Sequence, residues 1–260
     1  MKNKLFVRSL LGFLFLLVSC FIAEEVYQKL CRSDFFQITS MKIDGNKMVS
    51  NKQISVLSNI DIHSNLLAIN IHQVQSLLKS HPWIAGAEVT RSWPNQLLIN
   101  IKEKKPVALL NRESGLFYLD NRGRIIASAG PDQELDFPVV TGLENIPMHA
   151  NQAAEIPAVL VDVMQLLQLA SGKNSILPEQ NISEIPINPD NGLLLYLLEK
   201  PFPIHMGTDG DISKGYYRLV KVLRDLYKTK EFSKVSYIRM DYQEDTVLVG
   251  KTESDMTHRG

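Results

Sequence analysis

The sequence predicts an α+β protein that follows a single N-terminal apolar helix. Residues 9–23 form an apolar run without a charge, which is typical of a membrane-crossing helix. Residues 35–104 have the pattern of a strand, two helices and two further strands. From Pro106 onward, short apolar strands are separated by turn residues and accompanied by two amphipathic helices, which indicates a β-rich second domain.

Length and composition exclude several classes of protein. The 260 residues leave room for two modest domains beyond an anchor. Lysine and arginine (28) balance aspartate and glutamate (28), so no overall basic field favours nucleic acid. The two cysteines, Cys20 and Cys31, lie in or beside the apolar run, so they cannot cross-link the folded domains or form a cysteine metal site.

The apolar run predicts a transmembrane helix at residues 9–27 behind a cytoplasmic tail at residues 1–8. Its charge-free part has 15 residues, fewer than the ~20 that a bilayer core requires. Counting from Leu5 gives 19 residues, about 28 Å of helix, provided that Arg8 extends its side chain toward the headgroups. Because basic residues precede the run, the positive-inside rule places the N-terminus in the cytoplasm and residues 35–260 outside.

Two other interpretations of this run stay open. It has the length of a cleaved signal peptide. The sequence Leu17-Val18-Ser19-Cys20 also resembles a lipoprotein processing box, with Cys20 as the acylated residue. The apolar run continues through Phe21-Ile22-Ala23 beyond that cleavage point, which favours a retained helix. All three interpretations export residues 35–260.

Residues 81–108 predict a β-hairpin after a helix. Pro82 ends the helix near His81, and Pro94-Asn95 forms the turn between the strands. We expect Trp83 and Trp93 to lie in the core rather than to form a ligand platform, and Arg91 to stack or pair at the sheet surface. One face of the hairpin carries Ala87, Val89, Arg91, Trp93, Leu97, Ile99 and Ile101.

The residues before this hairpin predict a strand and two capped helices. The strand is predicted from Phe36, Ile38, Met41 and Ile43, with a bulge near Thr39-Ser40, and Asp44-Gly45-Asn46 turns the chain. Ser50 with Gln53, and Asn70 with Gln73, have the spacing of N-terminal helix caps. The second helix carries an apolar stripe of Ile71, Val74, Leu77 and Leu78.

The second domain is predicted to be an open β-rich sheet with two helices. Gly123 is expected to need a positive φ in its hairpin turn. Pro157 marks the start of one helix, which ends before Gly172, and residues 214–229 form the other. Strands are predicted near residues 107–111, 115–120, 124–127, 182–187, 193–198, 204–207, 235–242 and 246–249.

No residue pattern indicates catalysis, a cofactor or a metal. The six histidines are scattered and lack the spacing of a helical zinc site, and His205 is expected to be a strand residue. No nucleophile elbow or phosphate-binding glycine loop is present. Asp241, Glu244 and Asp245 are best explained as a solvated turn between the last strands rather than as paired catalytic carboxylates.

The hairpin carries a dense motif: PW at residues 82–83, AEV at 87–89, RSWPNQLLI at 91–99 and EKKPVA at 103–108. This run resembles the bacterial cell-division family FtsQ/DivIB, in which it closes a POTRA domain and opens a second β-rich domain. LDNRG at residues 119–123 and FPVVTG at 137–142 are similar to further family motifs. The resemblance implies a POTRA domain (β-α-α-β-β) at residues 35–104, an FtsQ-type β domain at 106–252 and a flexible tail at 253–260.

The same resemblance implies a non-enzymatic division scaffold in the cell inner membrane, with its domains outside the cytoplasm at the septum. It would dock FtsB/DivIC-type and FtsL-type proteins and help to recruit the septal peptidoglycan synthases. By position in the family, the partner site is Tyr242, Val247, Leu248, Val249 and Gly250. Tyr242 can also be read as an edge-strand aromatic without a partner. Asp241 and Glu244 depart from the family pattern around that tyrosine, which puts the partner's charge pattern in question.

Two other functions remain as alternatives. POTRA domains also act in chaperone and translocation modules for exported proteins, but these carry several POTRA repeats or a following barrel, and this sequence has one copy and no run of barrel strands. An exported enzyme is the other alternative, and no motif supports it.

Overall fold

The computed structural model describes residues 2–144, 156–172, 176–177, 181–188, 192–207, 211–240 and 246–251, with side chains from Leu10 onward. Packing divides the chain into two compact units, Met1–Glu103 and Lys104–Gly260. Each unit contains its own sheet, one of three strands and one of nine.

The N-terminal apolar helix predicted from the sequence is confirmed. α1 (Lys2–Cys31) is one continuous helix of 30 residues. Its segment Leu10–Cys31 is long and apolar enough to cross a membrane, and no other helix in the described part of the chain meets that test. Large apolar side chains such as Phe15 and Phe21 are exposed along it. Cys20 and Cys31 are free thiols.

The first unit has the predicted order of strand, helix, helix, strand and strand. The sheet order is β1-β3-β2, in which β1 is parallel to β3 and β2 is antiparallel to it. Both predicted caps are present, because Ser50 and Asn70 accept the backbone N–H of Gln53 and Gln73. The elements are β1 (Ser40–Asp44), α2 (Asn51–Ser58), α3 (Ile71–Lys79), β2 (Ile84–Ser92) and β3 (Gln96–Glu103).

The predicted start of the first strand is wrong. Phe36 ends a 3₁₀ turn, Asp34–Phe36, and Ile38 precedes β1. Ile38 is nonetheless fully buried, and its backbone bonds to Ser64 and His63 in the loop between α2 and α3. A segment that pairs with a loop can therefore show the alternating pattern of a strand without belonging to the sheet.

Trp83 lies in the core as expected, whereas the same expectation for Trp93 is wrong. Trp83 is 7% exposed and Trp93 is 57% exposed. β2 ends at Ser92, so Trp93 belongs to the turn and is no longer held over the core face. Its ring packs edge-on against Phe36, with the centroids 5.8 Å apart.

Arg91 also differs from expectation, because it binds backbone carbonyls rather than an aromatic ring or a carboxylate. Its Nε donates to the carbonyl of Leu66 at 2.8 Å, and its Nη2 donates to the carbonyl of Ile69 at 2.7 Å. Glu103 has a similar role, accepting the N–H groups of Met48 and Val49 ahead of α2. These two motif residues hold the loops of the first unit.

The second unit is built on a nine-stranded sheet of order β12-β11-β10-β9-β8-β7-β4-β5-β6. β7 is parallel to β4 and β8, β10 is parallel to β11, and the other pairs are antiparallel. The strands are β4 (Ala108–Arg112), β5 (Gly115–Leu119), β6 (Ile125–Ser128), β7 (Val139–Thr141), β8 (Ile182–Asn188), β9 (Gly192–Leu197), β10 (Ile204–Gly207), β11 (Val235–Arg239) and β12 (Leu248–Lys251).

Two helices, α4 (Ala158–Ala170) and α5 (Ile212–Lys228), pack against one face of this sheet. Their buried side chains, including Leu167 and Leu223, share one core with inward residues of the strands. At the β4-β5-β6 end, the opposite face is also covered, since Tyr118 contacts the ring of Phe137 and donates to the carbonyl of Glu134 at 2.6 Å. The mixed α+β fold predicted from the sequence is confirmed.

Candidate partner-binding edge

β12 (Leu248–Lys251) is one of the two edge strands of the nine-stranded sheet. It pairs antiparallel with β11, placing Ile238 opposite Val249 and Arg239 opposite Leu248. No strand in the described ranges lies on its other side. Of the predicted site residues, Val247 directly precedes this edge strand, and Leu248, Val249 and Gly250 lie in it. Tyr242, Asp241, Glu244 and Asp245 lie outside the described residues.

Side chains alternate along this edge. Val247 and Val249 are partly buried and pack against the core beneath α4 and α5. Leu248 is 40% exposed and points to the opposite face. The edge strand is thus held by its valines and leaves its leucine available for contact.

Gly250 is explained by Tyr237, a residue that the sequence analysis did not single out. Tyr237 lies opposite Gly250 in the β11–β12 register. A Cβ at Gly250 would lie 2.2 Å from Cε1 of the tyrosine and 2.5 Å from Cδ1 and Cζ. The ring of Tyr237 therefore lies flat across the glycine and remains 36% exposed beside Leu248. Only the strand register reveals this pairing.

A row of side chains crosses the sheet behind this edge. Leu248 pairs with Arg239, Arg239 pairs with His205 of β10, and His205 pairs with Leu194 of β9. His205 and Leu194 are partly exposed. His205 is a strand residue, as predicted. The face next to the edge accordingly combines apolar and basic groups.

An ion pair holds the end of the edge strand. Nζ of Lys251 lies 2.8 Å from Oε2 of Glu231, which immediately precedes the 3₁₀ turn leading into β11. The hydrogen bond and the positive charge of Lys251 lower the pKa of Glu231 below its ordinary value. The pair ties the last described residue of β12 to the start of its neighbour.

Within the described ranges, no group of three histidine, cysteine, aspartate or glutamate side chains is arranged to hold a metal ion. The Arg91 guanidinium is engaged with loop carbonyls in the first unit. At the predicted partner-binding positions, the described residues form a sheet edge whose outer backbone groups can pair with another strand.

Two family models match the chain. The model for the POTRA domain, FtsQ-type, matches residues 36–104. The model for Cell division protein FtsQ/DivIB, C-terminal, matches residues 108–241. The first match covers the three-stranded unit, and the second covers the larger sheet as far as β11, so that β12 lies beyond it.

Relatives carry the same description. "Cell division protein FtsQ" of Syntrophotalea carbinolica is 28% identical over 209 residues, covering 80% of this chain and 71% of the relative. The protein of the same name from Geotalea daltonii is 27% identical over 227 residues, covering 87% and 80%. The solved extracytoplasmic domain of DivIB from Geobacillus stearothermophilus overlaps 48% of this chain and 96% of that chain, at 16% identity and a TM-score of 0.28. The family models, which match residues 36–104 and 108–241, are what assign the family.

These matches agree with the order of parts along the chain. One N-terminal apolar helix, which fits a single-pass membrane anchor, precedes the three-stranded unit and then the larger sheet. The hairpin motif at residues 81–108 joins the two matched regions. The chain therefore belongs to the FtsQ/DivIB family of bacterial cell-division proteins.

Proposed function

We propose that this chain is a bitopic scaffold of the divisome, needed for septum formation. It binds FtsB/DivIC-type and FtsL-type partners through its second domain and thereby links early division proteins to the septal peptidoglycan synthases. The observation that carries this proposal is the edge strand β12, which has no described strand on its outer side. The scaffold acts by binding and needs no catalytic group.

The proposed topology follows from the charges around α1. Lys2, Lys4 and Arg8 precede the apolar segment, which favours a cytoplasmic N-terminus. Residues 1–8 then remain in the cytoplasm, residues 9–27 cross the inner membrane, and the domains at residues 35–104 and 106–252 lie outside. This places the partner site on the same side of the membrane as the septal wall.

The proposed binding mode is strand addition. The outer edge of a terminal strand presents unpaired N–H and C=O groups, which an incoming strand can satisfy. Main-chain bonds provide affinity in this mode, and alternate side chains provide specificity. Leu248 and Tyr237 form the exposed apolar surface beside this edge and would contact the partner's side chains. We include Tyr242 in the site because of its position in the family motif.

The test is binding of the full chain to the extracytoplasmic segment of the host's FtsB/DivIC-type protein. Leu248→Lys removes an exposed apolar contact and is expected to weaken binding about tenfold, or about 1.4 kcal/mol. The matched control is Val161→Lys, since Val161 is 50% exposed on α4, on the helical side of the sheet.

The urea unfolding curves of both variants should match that of the unaltered chain, which would show that both variants are folded before urea is added. Equal binding by the Leu248→Lys variant, the control and the unaltered chain would contradict the proposed site. In cells depleted of the protein, the unaltered chain and the control should restore division. The Leu248→Lys variant should leave filaments without completed septa.

A further inference from the structure

Three aromatic rings form an exposed cluster on the first unit, close to the end of α1. The ring of Phe36 lies edge-on to both Phe35 and Trp93, at centroid distances of 5.1 and 5.8 Å. Phe35 is 66% exposed and Trp93 is 57% exposed. Contiguous exposed apolar side chains of this kind form a candidate contact surface.

The unit that carries this cluster is bonded directly to α1. The Asn65 side chain donates to the carbonyls of Leu30 and Ser33, each at 3.0 Å, and so satisfies part of the C-terminal end of the helix. One turn earlier, the Tyr27 hydroxyl donates to the carbonyl of Leu67 at 3.3 Å. Arg91 braces the same loop from the sheet. The domain therefore follows the helix without a free linker.

Further hydrogen bonds connect the segment that carries the aromatic cluster to the C-terminal end of α1. Leu66 donates its N–H to the carbonyl of Phe36 at 2.8 Å, and the next residue, Leu67, accepts from Tyr27. Tyr27 is also the last residue of the predicted membrane span, residues 9–27. The cluster thus belongs to the part of the first unit that is hydrogen-bonded to the C-terminal end of α1, just beyond the apolar run.

We propose that Phe35 and Trp93 rest in the headgroup layer of the leaflet from which α1 emerges. The partner of this surface is the bilayer that holds the helix. Tryptophan favours that layer because its ring is apolar while its indole N–H can bond to water, and a neighbouring phenylalanine ring can enter the boundary between headgroups and acyl chains. The charged residues exposed at this end of α1 have both signs: Lys29 and Arg32 suit lipid phosphates, and Glu24 and Glu25 suit the ammonium groups of phosphatidylethanolamine. Contact of these two rings with the headgroup layer then fixes the distance between the first unit and the membrane.

This inference rests on the proposed retention of α1 in the membrane, and its test separates the two. The full chain is reconstituted into vesicles of phosphatidylethanolamine and phosphatidylglycerol whose acyl chains are brominated near the headgroup. In the Trp83→Phe variant, Trp93 is the remaining tryptophan. The bromine atoms should quench its fluorescence. Its emission maximum should also lie at shorter wavelength than that of the same variant unfolded in urea without detergent. The matched control is Trp93→Phe, in which the remaining Trp83 is buried and should keep its emission.

Trp83 belongs to the core, so its replacement can weaken the domain. The Trp93 signal is therefore also taken as the difference between the unaltered chain and Trp93→Phe, which leaves the core intact. Suppose that carbonate does not extract the chain from the vesicles but the Trp93 emission is unquenched and like that of a ring in water. This result would overturn the inference, although α1 would still be a membrane anchor. Extraction by carbonate would overturn both.

Discussion

Asp120 shows how one residue holds a turn of the second unit. Its carboxylate accepts the backbone N–H groups of Arg122 and Arg124 and two N–H groups of the Arg124 guanidinium, at 2.7 to 3.0 Å. Burial by itself would raise the pKa of Asp120, but the Arg124 and Arg122 hydrogen bonds and the Arg124 charge outweigh it and lower that pKa. Gly123 completes the turn with a φ of 73°, as predicted.

We expect Asp120→Asn to reduce the free energy of unfolding by about 1–3 kcal/mol at neutral pH, because the amide loses the charge and one acceptor. The pKa of Asp120 is lower in the folded state, so its contribution is complete above the unfolded pKa of about 3.9 and is lost as the pH falls through the folded value. The difference between the two chains should therefore shrink below about pH 4. Urea unfolding of both chains, at pH 7 and below pH 4, measures this difference in the free energy of unfolding.

Asp162→Asn is the matched control, because Asp162 is exposed on α4. This control should unfold like the unaltered chain at pH 7. Equal stability of Asp120→Asn and the unaltered chain at pH 7, or a difference between them that does not change at low pH, would show that the Asp120 hydrogen bonds are not stabilising.

At the scale of elements, the edge strand depends on one close contact. Gly250 lies under the ring of Tyr237, with no room for a Cβ. We expect Gly250→Ala to turn the ring aside and to cost about 1–3 kcal/mol of unfolding free energy, the usual cost of overpacking. In a Tyr237→Ala background the same substitution should cost little.

Thermal or urea unfolding of the unaltered chain, the two single variants and the double variant gives a double-mutant cycle for Gly250 and Tyr237. If Gly250→Ala costs the same with and without the tyrosine ring, the ring is not what excludes a side chain at position 250. A cost below the error of measurement in both backgrounds would contradict the packing at this edge.

Local sequence patterns predicted the elements well where the structure depends on near neighbours. Ser50 and Gln53 form the expected capping box because both lie within one helical turn. Ile38 and Trp93 were misplaced because their environments depend on loops and turns rather than on strand alternation. Tyr237 was missed because its contact with Gly250 follows from a strand register that periodicity cannot give.

At the scale of the whole molecule, the chain order of anchor, POTRA-type unit and β-rich unit was predictable from the hydrophobic pattern and the hairpin motif. The order of the nine strands was not, because parallel pairs such as β7–β8 and β10–β11 join strands distant in sequence. That order is what leaves β12 at the edge. The candidate site therefore depends on the topology of the whole sheet as well as on its own residues.

The most direct measurement is amide hydrogen exchange of the full chain, with and without the extracytoplasmic segments of the host's FtsB/DivIC-type and FtsL-type proteins. Strand addition predicts that exchange slows across β12, Leu248–Lys251, when partner is bound. The opposite edge, β6 (Ile125–Ser128), serves as an internal control and should not change. Unchanged exchange across β12 at saturating partner, with protection appearing elsewhere, would contradict docking at this edge.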